Sequence, residues 1–189
     1  ISPLLNFPIK GVLWYQGESN TGNPSLYAKT FPVMIKDWRQ KWNQGDFPFI
    51  YVQLANFMEK KSTPTESNWA AFRQTQLNTL SVPNTGMAVT IDLGEWNDIH
   101  PLNKKDVGKR LALQAEKLAY NSHTIFASSP SPKKTTFKNK KVVIEFKNTG
   151  NGLVSKENKE LKEFAISNDG KTFVWATAKI KGNKIIVCN

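Results

Sequence analysis

Residues 1–122 alternate short apolar runs with stretches whose apolar positions recur at helical spacing. Gly11–Tyr15, Phe49–Leu54 and Met87–Ile91 predict three buried strands. Between the first two, Tyr27, Phe31, Met34, Ile35, Trp38 and Trp42 mark one face of a helix. Asn23-Pro24 predicts its start, an N-cap followed by proline at the first helical position, and Pro32 predicts a kink or a delayed onset. Trp69, Phe72, Arg73, Gln76, Leu77 and Leu80 mark a second helix, preceded by a Ser/Thr/Pro loop at 60–67. Val107, Leu111, Ala115 and Leu118 line a third, with Asn103 as cap and Asp106 three residues on. This β-α-β-α-β-α order implies a parallel sheet covered by helices.

The pattern changes after residue 127. Ser128–Lys134 predicts a linker, and beyond it the apolar period is two: Lys141–Phe146, Glu163–Ser167, Phe173–Trp175 and Lys184–Val187. Gly150, Gly152, Asn168-Asp-Gly170 and Gly182-Asn183 supply turns. The expected organisation is an α/β region over 1–127 and a small antiparallel β module over 128–189. The module is expected to be incomplete, because its last strand runs into Asn189.

The formal charge of +11 raises the question of nucleic acid. Residues 133–189 hold 13 Lys and 5 acids, so most of the excess lies in the β module. Those lysines alternate with apolar residues, and no Arg accompanies them, whereas phosphate-reading surfaces use Arg as well. The pattern fits a solvated strand face, with a polyanion-binding surface as the alternative; any attraction of an acidic sugar to it would be unspecific. No run is long enough to span a bilayer, so neither nucleic acid nor membrane is an expected partner. The lone Cys188 has no partner for an intrachain disulfide and leaves the compartment open. Two histidines and one terminal cysteine make a poor metal set.

The chemistry concentrates at two strand ends. After Trp14-Tyr15 the chain turns polar at once, with Gln16, Gly17, Glu18, Ser19 and Asn20. In open α/β sheets ligands bind beyond the carboxyl ends of the strands. The Gln16 amide is suited to donate to a developing oxyanion, or to tie two loops together. Glu18 is placed to orient neighbouring amides and hydroxyls. Ser19 lacks a nucleophile elbow, since Thr21 stands where Gly-x-Ser-x-Gly needs its last glycine. Beyond the third strand, His100 sits two residues after Asp98, a base with a neighbour able to fix its tautomer, or else an ordinary loop histidine. His123, after the last helix, suits the C-terminal dipole. Trp96 either stacks on a sugar or packs.

Trp14-Tyr-Gln-Gly-Glu-Ser-Asn20, Trp69-Ala-Ala-Phe-Arg-Gln-Thr-Gln76 and Asp98-Ile-His-Pro-Leu-Asn-Lys104 resemble, in order and spacing, three blocks of the sialate O-acetylesterase branch of the SGNH/GDSL hydrolases. Gly150-Asn-Gly-Leu-Val154 is similar to the accessory region of that branch. The resemblance implies an SGNH-hydrolase-like three-layer α/β/α fold with a parallel sheet and an appended β module. It implies His100 as general base, Asp98 as its holder, and Gln16 with Gly17 as oxyanion donors. Glu18, Asn20, Gln53 and Arg73 become candidates for substrate contact or site support. The reaction implied is hydrolysis of sugar O-acetyl groups, most of all on sialic acid, through an acetyl-serine with no metal or other cofactor. The alternatives are acetyl xylan or another polysaccharide as substrate, and a non-catalytic carbohydrate-binding protein. Two departures stand out. The Gly-Gln-Ser-Asn type block of the nucleophile is absent, so an N-terminal fragment carrying the serine is the expected partner, and this chain alone is expected to be inactive. The position three before His100 is Asn97, with the carboxylate at Asp98 instead. The resemblance also implies a periplasmic or secreted location.

Overall fold

A computed structural model describes residues 1–188 and divides the chain into two units. The first comprises 1–59 and 67–128, the second 60–66 and the described residues from 129 onward. Segment 60–66, which sequence order groups with the α/β region, thus packs with the β sheet.

The first unit carries a parallel sheet in the order β1 (Val12–Trp14), β2 (Phe49–Val52), β3 (Thr85–Ala88). Helix α1 (Pro24–Trp42) joins β1 to β2, α2 (Asn68–Asn78) joins β2 to β3, and α3 (Lys104–Leu118) follows β3. Helices cover both faces. Phe49 and Tyr51 of β2 point into a core built with Tyr27, Phe31 and Ile35 of α1 and Trp69 and Phe72 of α2. The intervening Ile50 pairs with Gly86 of β3, on the face where Leu118 and Gln114 of α3 lie within 3 Å of the Cβ that Gly86 lacks. Two crossovers that advance across the sheet in one direction put α1 and α2 on the same side. Sequence reasoning located the elements and the three-layer arrangement.

Its details need correction. Helix α1 runs unbroken through Pro32. Its aromatic face is anchored by Phe31 against Tyr51 (ring centroids 5.2 Å apart) and Tyr27 against Phe72 (4.5 Å). That packing offsets the roughly 3 kcal/mol that an interior proline costs. The strand predicted over Phe49–Leu54 stops at Val52. There the fully buried Gln76 side chain substitutes for a neighbouring strand, its Nε2 donating to Val52 O (3.1 Å) and its Oε1 accepting from Leu54 N (2.9 Å). Strand β3 begins at Thr85 and ends at Ala88, earlier than Met87–Ile91. Thr90 instead donates its hydroxyl to Gln53 O at 2.5 Å. Asn23 and Asn103 cap α1 and α3 as expected, accepting from Leu26 N and Asp106 N at 3.1 Å each. Leu80 falls outside α2, in a following 3-10 turn, and is exposed.

The second unit is a five-stranded antiparallel sheet in the order β4 (Ser131–Lys138), β5 (Lys141–Lys147), β8 (Lys184–Cys188), β7 (Val174–Lys181), β6 (Leu161–Ile166). Strand β4 replaces the end of the predicted linker, from Ser131 to Lys134, and runs on to Lys138. Seven of its eight residues are exposed, so it has no alternation to read. Strand β6 lies earlier than predicted, and β7 extends to Lys181 through Ala176, Ala178 and Ile180. One sheet face buries Ala178, Ile185 and Val187 with Val142, Ile144, Phe146 and Phe164 packed against them. Segment 60–66 fastens here: Trp175 Nε1 donates to Ser62 O (2.6 Å), and Lys60 pairs with Glu163 (2.6 Å). No helix among the described residues is long and apolar enough to cross a membrane.

Candidate functional site

The three strands of the first unit are parallel, so the segments after β1 and β3 leave the sheet at the same edge. A direct contact links them. Lys104, the first residue of α3, holds its Nζ 4.8 Å from the ring centroid of Tyr15, the residue before Gln16. The loops after β2 and β3 are also stitched together. Asn56 Oδ1 accepts from Gly94 N (2.8 Å), and Trp96 O accepts from Met58 N (2.8 Å). Arg110 of α3 secures the start of the β3 loop, with its guanidinium on Val89 O (2.6 Å) and in a fork on both oxygens of Asp92 (2.5 and 2.8 Å).

Gly17 determines the shape of the β1 end. Its φ of 149° lies where side chains are rarely tolerated, and a Cβ there would stand 2.5 Å from the Phe72 ring. The chain then makes a single 3-10 turn, Glu18–Asn20, that contains Ser19. Across that turn Gln16 Nε2 donates one of its two N–H groups to Asn20 Oδ1 (2.6 Å), which fixes the amide plane. The Gly17 N–H finds no acceptor among the described residues. Glu18 lies close enough to Tyr15 and Tyr27 to reinforce the upward pKa shift that burial gives both phenols.

The His100 loop alternates inward and outward residues. Ile99 packs against the aromatic core and Pro101 is buried, while the His100 side chain is 89% exposed. Asp98 Oδ1 accepts the backbone N–H of His100 at 2.7 Å and lies 3.8 Å from its Nδ1. The carboxylate therefore fixes the loop backbone and stands near the imidazole without hydrogen-bonding it. Trp96 is 61% exposed, so it is not part of the core. His123 is exposed beyond the end of α3.

Gln53 and Arg73 meet through the main chain. Gln53 is buried, and its Nε2 donates to Arg73 O (3.0 Å), tying the end of β2 to α2. The half-buried Arg73 guanidinium has no hydrogen bond or ion pair among the described residues, and burial pushes its pKa below the ordinary value. Sequence reasoning missed two ties that shape this region: Gln76, whose amide ends the β2 ladder, and the Arg110–Asp92 fork. A glutamine on the inward face of α2 was the available signal for the first. Among the described residues no three His, Cys, Asp or Glu side chains gather as a metal site.

Comparison with known proteins bears on the family. The sequence profile of the family described as "carbohydrate esterase, sialic acid-specific acetylesterase" matches residues 3–117, more than half of the chain. Mouse sialate O-acetylesterase is 40% identical over 150 aligned residues, covering 71% of this chain and 28% of the mouse protein. The human enzyme is 39% identical over the same length, covering 29% of its own. The crystal structure of a carbohydrate acetylesterase from Xanthomonas citri superposes over 100% of this chain and 44% of that one, with a TM-score of 0.93 and 41% identity. The chain spans under a third of the mammalian relatives and under half of the bacterial one. It belongs to the sialic acid-specific acetylesterase family of carbohydrate esterases.

Proposed function

We propose that this chain supplies the base and the oxyanion donors for hydrolysis of O-acetyl groups on sialic acid, with the nucleophilic serine on polypeptide outside these 189 residues. In this reading the serine oxygen attacks the acetyl carbonyl as His100 takes its proton. The carbonyl oxygen becomes an oxyanion, received by the free N–H of the Gln16 amide and by the Gly17 N–H. Collapse expels the sugar alkoxide, which recovers the proton from His100, and leaves an acetyl-serine. Water, deprotonated by His100, then releases acetate. The exposed imidazole has room for an incoming hydroxyl. Asp98 favours the imidazolium by proximity. Glu18 and Asn20 hold the oxyanion turn, Gln53 supports Arg73, and Arg73 offers a cation to the sialate carboxylate. Trp96 presents an open ring to the sugar face.

The observation that carries the proposal is the Lys104–Tyr15 contact, which joins the His100 loop to the Gln16 turn at one sheet edge. His100→Ala in the intact protein is expected to abolish acetate release from O-acetyl sialate while leaving the fold unchanged. Full retained activity would overturn the assignment. The likeness to a carbohydrate acetylesterase favours a second reading, a neutral acetylated polysaccharide as substrate. Acetate release from O-acetyl sialate and acetyl xylan, measured side by side, separates the two.

A further inference from the structure

His100 stands on a stretch without helix or strand, between Ala88 at the end of β3 and Lys104 at the start of α3. Its imidazole is exposed, so the ring is aimed by the backbone beneath it. Arg110 ties the first part of the stretch, at Val89 O and Asp92. Ile99 and Pro101 tie the last part to the interior. Among the described residues, the two hydrogen bonds that join 94–98 to another segment both go to the loop after β2. Asn56 Oδ1 accepts from Gly94 N, and Met58 N donates to Trp96 O, each at 2.8 Å. Both loops advance two residues between these bonds, so they run side by side in one direction, as β2 and β3 do.

The approach of the two loops is close enough to demand glycine. A Cβ on residue 94 would lie 2.2 Å from Asn56 O and 2.7 Å from Asn56 Oδ1. Asn56 is itself firmly mounted. Ala55 is buried and its carbonyl accepts from Trp69 Nε1 (2.7 Å), while Phe57 packs on the Trp69 ring with centroids 5.2 Å apart. Helix α2 therefore holds the residues on either side, and the Asn56 side chain reaches across to the β3 loop. From Gly94 the constraint passes on to the imidazole. Glu95 and Asp98 form a β-bridge that closes a tight turn with Trp96 and Asn97 at its tip. Asp98 Oδ1 then accepts the His100 N–H at 2.7 Å. The contacts follow one another without a gap: 56 to 94, 95 to 98, 98 to 100.

We propose that Asn56 is a positioning residue for the esterase reaction: its side-chain oxygen, by taking the Gly94 N–H, fixes the 94–98 turn and through it the place of His100. Asn56 acts through the loop and has no contact with the reacting atoms. A base displaced by a fraction of an ångström loses reactivity while the substrate still binds, so the signature of this role is a loss of kcat. The catalytic part of the assignment rests on the proposed role of His100 as base. The tether rests on the geometry alone.

The test compares Asn56→Ala, which removes the acceptor, with Asn56→Asp, which keeps one. Both are made in the intact protein and assayed well below their melting temperatures. Asn56→Ala is expected to lower kcat for acetate release from O-acetyl sialate about thirtyfold, with KM within about twofold of the wild type. Asn56→Asp is expected to keep kcat within about threefold. Backbone hydrogen exchange over 93–100 supplies a readout that needs no catalysis. It is expected to quicken in Asn56→Ala and to stay near wild type in Asn56→Asp, with β1 to β3 equally protected in both. Gly94→Ala leaves Asn56 in place but forces the loops apart, and is expected to reproduce both the kcat loss and the fast exchange. The proposal is overturned if Asn56→Ala retains full kcat, if its loss falls on KM, or if Asn56→Asp is equally impaired. It is also overturned if exchange over 93–100 is the same in Asn56→Ala as in the wild type. Failure of the esterase reading shows separately, as acetate release that survives His100→Ala.

Discussion

Asp98 grips His100 by its backbone: one carboxylate oxygen accepts the His100 N–H at 2.7 Å, while the imidazole Nδ1 stands 3.8 Å away. The two roles can be separated by substitution. Asparagine keeps an acceptor for the N–H but loses the charge, and alanine loses both. Asp98→Asn is expected to leave the melting temperature unchanged and to lower kcat by on the order of tenfold, the share of general-base catalysis that a nearby carboxylate adds. Asp98→Ala is expected to lower kcat further, because the loop that aims His100 loses its tie. Parallel measurement of kcat and thermal unfolding on the intact protein checks both. Equal effects of the two substitutions would show that the backbone bond is idle.

Gly17 answers to two separate constraints, its φ of 149° and the Phe72 ring 2.5 Å from where a Cβ would sit. Gly17→Ala is expected to destabilise the protein by about 2–4 kcal/mol, from strain plus overpacking. Adding Phe72→Leu relieves the clash and leaves the backbone strain. Gly17→Ala is therefore expected to cost less in the Phe72→Leu background than in the wild type, but still to destabilise it. A double-mutant cycle by urea unfolding measures the coupling. Additive effects would mean that the ring moves aside freely.

The extent to which the sequence foretold this structure follows from where its signals are local. Alternating apolar runs and Asn caps located β1 to β3 and α1 to α3, because burial on both sheet faces leaves long apolar strings. The strand ends were displaced, since the ladder stops where the Gln76 amide intrudes, and that residue is 22 positions from Leu54 in the chain. Strand β4 was missed because an exposed edge strand rich in Lys and Thr carries no alternation, and its pairing with β5 alone specifies it. At the site, residue types were legible and orientations were not. Nothing in Asp-Ile-His-Pro indicates that the carboxylate takes a backbone N–H, or that the Gln16 amide is fixed by Asn20 four residues on.

Arg73 tests substrate charge. Its guanidinium is half-buried without a carboxylate partner among the described residues, an arrangement that burial makes unfavourable and that an anionic substrate would relieve. Arg73→Gln is expected to raise KM for O-acetyl sialate about tenfold or more, with little change for a neutral ester such as 4-nitrophenyl acetate. The comparison of the two substrates is the measurement. An equal rise in both would make Arg73 a support for the fold rather than a reader of charge.

Asp169 gives the β unit a pH dependence of defined sign. Hydrogen bonds from Thr172 N, Lys171 N and the Ser167 hydroxyl hold its carboxyl far below the usual carboxylate range. A carboxyl whose pKa is depressed by folding contributes stability that is complete above the unfolded value, about 4. That contribution shrinks as pH falls from there toward the folded value and is gone below it. Asp169→Ala removes the titrating group, so the variant is expected to be less stable than the wild type at neutral pH. Going from about pH 5 to about pH 3, it is expected to lose less of its remaining stability than the wild type does. Urea unfolding of both proteins, followed by circular dichroism in the β region at each pH, reads the difference. Parallel losses in the two proteins would show that the Asp169 loop does not contribute to acid sensitivity.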